Sequence, residues 1–139
     1  VSNILEDHAA AFLALISGAG LPTYDSKVSD AAPAQYVLAY PMFETPDGLL
    51  APDALSLTLA STALDVSMYV HNVGVTPQSA RATASRTRTA VLDQVPVVSG
   101  RICFPIRWRE GQPVRRNEEI PGAPVFDEVA VYAWRSLPA

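Results

Sequence analysis

The sequence holds a single cysteine, Cys103, among 139 residues. One thiol cannot close an intrachain disulfide, so the cysteine count gives no sign of an oxidising compartment. Histidine is nearly as scarce, with only His8 and His71. Neither has a second histidine or cysteine at a metal-ligand spacing, and no metal or cofactor is expected. No apolar run approaches the ~20 residues that span a bilayer, so no membrane partner is expected. Glu6 and Asp7 precede the first apolar stretch, where a secretory signal carries positive charge, and this sets an expectation against secretion. Lysine occurs once, at Lys27, and the other nine basic residues are arginine. No segment repeats at 20–50 residues, which excludes a solenoid.

The chain also lacks the patterns that announce an enzyme. Gly18-Ala19-Gly20 follows a helix pattern instead of joining a strand to a helix, so it reads as a helix stop and not as a phosphate cradle. Glu118 and Glu119 fall in a polar loop, and neighbouring Asp127 and Glu128 diverge to opposite faces of a strand, so no two-carboxylate hydrolase is supported. Cys103, His71 and Asp65 can be written as a nucleophilic set, but nothing in their spacing specifies one.

What is present fits one domain over residues 1–139, long enough to bury about two-thirds of its unfolded surface. The net charge of −4 is unevenly spread. Residues 1–75 carry eight acids and one base, residues 76–116 eight arginines and two acids, and the remainder four acids and one arginine. Such polarity suits head-to-tail contact between copies, unless the charges interleave in three dimensions. Arginine without lysine points to protein contact through its planar, weakly hydrated fork. The acidic balance runs against a dedicated nucleic-acid binder.

Hydrophobic periodicity lays out the elements. Residues 2–17 read as an amphipathic helix capped by Ser2 or Asn3, with Glu6 and Asp7 at its positive end. Residues 34–43 read as a strand with Tyr36, Leu38 and Tyr40 opposed to Val37 and Ala39. Pro41 argues for an edge or a strand end, and a short strand at 23–28 precedes it. Residues 62–73 give the cleanest alternation, Leu64, Val66, Met68 and Val70 against Asp65, Ser67, Tyr69 and His71. Thr76-Pro77 opens a helix over 77–94, as an N-cap followed by proline at the first helical position. Residues 101–109 alternate again, placing Ile102, Phe104, Ile106 and Trp108 on one side and Arg101, Cys103, Arg107 and Arg109 on the other. Residues 125–135 form the last strand. Residues 44–61 contain a turn and five leucines; they read either as a strand or as an arm that docks on a neighbour. The expected class is α+β: an antiparallel, at most mixed, sheet of about four to five strands with two helices packed on one face.

Several stretches together resemble a known family. Thr76-Pro77-Gln78-Ser79-Ala80-Arg81-Ala82 opens a helix that runs to Thr89-Ala90-Val91-Leu92-Asp93. Gly100-Arg101-Ile102, Pro105-Ile106 and Pro113-Val114-Arg115-Arg116-Asn117 follow, and Pro124-Val125-Phe126 and Val129-Ala130-Val131-Tyr132 close the chain. With Tyr24-Asp25 and Ala32-Pro33 ahead of Tyr36-Val37, these resemble the tail terminator (tail completion) proteins of long-tailed bacteriophages, particularly those infecting actinobacteria. The 44–61 segment matches least.

The resemblance implies a structural virion protein of the phage tail or neck, assembled in the host cytoplasm and without enzymatic activity. Its copies would close into a ring, usually of six, that caps the tail tube protein, ends its polymerisation and meets the head–tail connector protein. DNA would pass through the lumen with non-specific contact. The candidate interface residues are Arg81, Arg88, Arg101, Arg107, Arg109, Arg115 and Arg116, with Leu49, Leu50 and Leu55. A head-closure or adaptor subunit of the neck is the neighbouring alternative. A small enzyme using Cys103 and a monomeric binding module using the leucine-bearing loop are the alternatives of other classes.

Overall fold

The computed structural model describes residues 3–28, 33–45, 48–49, 63–117 and 125–139. Helix α1 spans Ile4–Gly18, and the Asn3 side chain accepts from the backbone N–H groups of Leu5 and Glu6. Helix α2 spans Pro77–Val91, and the Thr76 hydroxyl accepts from the Ser79 N–H. Both caps sit where the sequence put them, because each side-chain oxygen satisfies donors that the first helical turn leaves open.

The strands are β1 (Thr23–Asp25), β2 (Tyr36–Thr45), β3 (Gly48–Leu49), β4 (Leu64–Gly74), β5 (Arg101–Cys103), β6 (Arg107–Gly111), β7 (Arg115–Arg116) and β8 (Phe126–Pro138). They form one sheet in the order β1-β2-β4-β8-β5; β6 and β7 also pair with β8, and β3 with β2. The long ladders β2–β4 and β4–β8 are antiparallel. The strand count exceeds the expected four to five, because the outer flank of β8 is covered by three short pieces. The sheet is mixed, because β1 pairs parallel to β2 through Thr23↔Val37 to Asp25↔Ala39. Between Ala39, where β1 ends, and Glu44, where β3 begins to pair, β2 is an edge, and Pro41 sits there without interrupting a second ladder.

One face of the sheet is covered. Leu64, Val66, Met68 and Val70 of β4, Val37 and Ala39 of β2, and Tyr132 and Trp134 of β8 are buried in one core with Phe12 and Ile16 of α1 and Val91 of α2. The Phe12 ring stacks on Trp134 at 5.7 Å with 4° between planes. Burying each such side chain contributes about 1.5–3 kcal/mol. Gly74, where β4 turns into α2, has no room for a side chain. An added Cβ would press on the Ser79 hydroxyl and lie 2.5 Å from the Ala80 amide nitrogen.

The 101–109 segment departs from the expected single strand. Pro105 leaves the ladder, and Ile106 is instead tied to the end of α2, its N–H donating to the Gln94 carbonyl at 2.8 Å and its carbonyl accepting from Asp93 N–H at 2.9 Å. The alternation on β5 is therefore inverted: Arg101 and Cys103 point into the core, while Ile102 is 53% exposed. A one-residue change of phase sends every side chain of a strand to the other face.

Candidate functional site

His8 and Ser136 are both fully buried, and they meet where α1 crosses β8. His8 Nδ1 lies 2.6 Å from the Ile4 carbonyl, which fixes Nδ1–H as the donor. Nε2 is then free to accept from the Ser136 hydroxyl at 2.7 Å. That hydroxyl oxygen in turn accepts from Arg101 Nε–H at 2.9 Å, and Arg101 Nη2 donates to the Ser136 carbonyl at 2.9 Å. Cys103 Sγ is 3.8 Å from the same oxygen. Burial lowers the pKa of the imidazole, against the opposing pull of the Ile4 carbonyl, and the Arg101 guanidinium adds to the lowering. The cluster is sealed inside the core and joins α1 to the sheet. It offers no surface to a substrate.

This placement corrects the arginine row. Arg101 was expected on the exposed side of a strand; it is 8% exposed and bonded to Ser136. The possible set of Cys103, His71 and Asp65 does not assemble. Cys103 faces the core beside Ser136. His71 and Asp65 point to the other face, where they pair with Asp127 at 2.9 Å and Arg135 at 2.8 Å. Among the described residues no cluster of histidine, cysteine and carboxylates could hold a metal, and no helix is long and apolar enough to cross a membrane.

The remaining candidate arginines fall in three places. Arg81 and Arg88, seven residues apart on α2, line one groove of about 450 Å³ with Trp108 and Gln112. The Arg88 guanidinium lies 5.8 Å from the centre of the Trp108 ring, which is 45% exposed. Neither arginine has a carboxylate within ion-pair distance among the described residues. Arg107 and Arg109 line a second groove with Glu44 and Asp65, and Arg107 pairs with Asp93. Glu44 and Asp65 of the acidic segment thus lie among arginines of the basic one here, and Asp65 also pairs with Arg135 across β4 and β8. Arg115 and Arg116 form β7, exposed on the outer flank of β8. Leu49 lies in β3, paired with Glu44, while Leu50 and Leu55 fall outside the described residues.

A surface that the sequence reading passed over is the helix-free face of the sheet. The registers Tyr24↔Leu38, Leu38↔His71, Tyr40↔Tyr69 and Met42↔Ser67 bring four of the five tyrosines together on it, with Tyr36 two residues from Leu38. Tyr24 meets Tyr36 edge-on at 5.8 Å, Tyr40 meets His71 at 5.5 Å, and the Tyr69 hydroxyl is 3.7 Å from Met42 Sδ. Tyr40, Met42 and Tyr69 are 37–39% exposed. The available signal was the recurrence of tyrosine on the non-core side of neighbouring strands, where half-buried sheets usually place charged or small polar residues.

Solved structures share this fold, two of them as follows. One is a chain of the virion of a native gene transfer agent particle, 17% identical, covering 96% of this chain and 91% of that one with a TM-score of 0.61. The other is 16% identical and covers 96% of each chain with a TM-score of 0.57. No protein-family model matches the chain, and no curated protein matches it. At these identities the likeness establishes the fold.

Proposed function

We propose that the chain is a structural subunit of a phage-like virion, a tail terminator whose copies close into a ring on the end of the tail tube. The observation that carries the reading is the fold shared over nearly the whole chain with a subunit of a gene transfer agent virion. The tail-terminator resemblance of the sequence narrows it. Two surface features accord with it. The helix-free face exposes Tyr40, Met42 and Tyr69, and aromatic residues and methionine are enriched in interfaces. The groove beside α2 presents Arg81, Arg88 and Trp108, the residue types that most often dominate binding energy. The reading of Cys103 as a nucleophile loses its geometry, because its sulfur is buried against Ser136.

In this reading the ring passes DNA through its lumen, and Arg109, Arg115 and Arg116, all exposed, supply non-specific phosphate contact. The deciding experiment adds purified protein to isolated tail tubes. Capture of a discrete ring at one tube end, with tube growth stopped, supports the proposal. Binding to the head-side connector with no affinity for tubes replaces it with a neck adaptor. An intact monomer that ignores both overturns it.

A further inference from the structure

Four large apolar side chains stand exposed together at one end of the sheet. The chain leaves α2, runs through residues 94–98, turns at Gly100 and returns as β5. This fold-back is closed at both ends, by the Arg101 N–H on the Val98 carbonyl at 3.1 Å and by the Ile106 N–H on the Gln94 carbonyl at 2.8 Å. Gly100 takes a φ of +75° in the turn, a conformation that suits glycine. Both arms alternate. Pro96, Val98, Arg101 and Cys103 turn inward, while Val95, Val97, Ile102 and Phe104 turn outward. Counting from the Val98–Arg101 bond sets Val97 beside Ile102 and Val95 beside Phe104. Val97 projects furthest, at 89% exposed.

An apolar pocket lies at the other end of the sheet. Pro33, Ala34, Tyr36, Val73, Val75 and Val125 line about 290 Å³ where β2 begins and β4 ends. Among the described residues the lining includes no lysine, arginine or carboxylate. Ile102 of the ridge pairs with Leu137 near the end of β8, whereas Gly74, between Val73 and Val75, pairs with Phe126 at its start. From Phe126 to Leu137 the extended chain covers roughly 35 Å.

We infer that the ridge of Val95, Val97, Ile102 and Phe104 on one copy enters the Pro33–Tyr36–Val75 pocket of the next. The inference rests on the ring reading above and deepens it by naming the surfaces that meet. Charge and shape select the occupant. Beside the ridge the charges are spent on each other: Arg107 pairs with Asp93, and Arg135 with Asp65 at 2.8 Å. Beside the pocket, Asp127 stands opposite Val73 and is held by His71 at 2.9 Å. Neither surface has a charged side chain of its own, so each calls for a neutral apolar counterpart, and each is such a counterpart for the other. The ridge is convex and the pocket concave. The pocket is about twice the ~150 Å³ that admits a benzene ring, which leaves room for Val97 and one neighbour. Because the two surfaces are unlike and lie at opposite ends of one chain, the contact is heterologous, and it closes into a ring when the rotation between copies permits. In a closed ring every copy covers both surfaces, and no ridge or pocket is left facing water.

The test uses two variants of the full chain. Val97→Glu/Ile102→Glu disables the ridge, and Ala34→Glu/Val75→Glu disables the pocket. All four side chains are exposed, so circular dichroism and melting should match the unmodified protein. Val97→Ser/Ile102→Ser, and Ala34→Trp to fill the pocket, replace any variant that does not. Where the unmodified chain forms rings, in solution or on tail tubes, each variant alone is expected to stay monomeric by light scattering or by imaging. Mixed together, each still holds one intact surface, and the expected product is a one-to-one heterodimer that grows no further. Val97→Cys mixed with Ala34→Cys should form disulfide cross-links between the two variants and in neither alone, Cys103 being buried.

Rings formed by either double variant alone, or mixtures that give neither heterodimer nor cross-link while the unmodified protein assembles, overturn the inference and leave the ring reading standing. Variants that form rings yet no longer cap tubes assign these surfaces to the tube subunit and also overturn it. Unmodified protein that stays monomeric on tail tubes overturns the ring reading, and this inference with it.

Discussion

The two faces of the sheet are made by the same strands and held by different means. On the covered face, Leu64, Val66, Met68 and Val70 are all fully buried, and two helices close over them. On the other face the intervening residues Asp65, Tyr69 and His71 make ion pairs and aromatic contacts that remain partly open to water. The first face carries the folding energy. The second can change its chemistry at small cost to the fold, which is what a surface for assembly requires.

The largest expected contrast tests that division. Phe12→Ala removes the ring stacked on Trp134 and should cost about 3–5 kcal/mol of unfolding free energy. Tyr40→Ala, on the open face, should cost about 1 kcal/mol or less. Urea denaturation of both variants, with unchanged slope, gives the comparison directly. Equal losses would mean that the open face is part of the core.

Gly74→Ala is expected next in size, at about 1–3 kcal/mol, because the added methyl meets the Ala80 amide nitrogen and the Ser79 hydroxyl with the α2 start fixed behind them. A neutral Gly74→Ala in the same denaturation assay would show that the β4–α2 corner can shift as a unit.

The covered face also contains a polar joint whose strength should depend on pH. Burial holds the His8 imidazole below its ordinary value of 6.5. Its surroundings are the Ile4 carbonyl, the Ser136 hydroxyl, the Arg101 guanidinium and, more remotely, Asp7. As pH falls the unfolded chain takes up this proton first. His8 therefore contributes stability that is complete above about pH 6.5 and is lost as pH drops below it, with a slope of at most about 1.4 kcal/mol per pH unit for one site. His8→Gln should flatten this part of the stability–pH curve. An identical curve for the variant would place the acid sensitivity outside this joint.

Much of the covered face was legible in the sequence. The β4 alternation is unambiguous, because a strand with long ladders on both flanks repeats every second residue without interruption. The α2 start is announced by Thr76-Pro77, whose cap is a local interaction. β1 was harder, since three residues pairing in parallel leave almost no periodic signal. The candidate site was less legible. The tyrosine face exists only once register aligns three strands, and Ser136, which draws Arg101 inward, lies thirty-five residues away in sequence.

The smallest expected effect tests the place where pattern misled. Alternation put Ile102 and Ile106 on one inward side, yet Ile102 is 53% exposed and Ile106 is fully buried. The cause is a competition of partners. Arg101 is claimed by Ser136, which turns β5 over. Ile106 is claimed by Asp93 and Gln94 at the end of α2, which takes Pro105 out of the ladder and lets the phase reset before β6. Ile102→Thr should then change stability by about 0.5 kcal/mol or less, whereas Ile106→Thr places a hydroxyl in the core and should cost about 1–3 kcal/mol beyond the lost apolar volume. Comparable losses at the two positions, measured as urea midpoints, would restore a single continuous strand over 101–109 and return Arg101 to the surface, where it would rejoin Arg107 and Arg109.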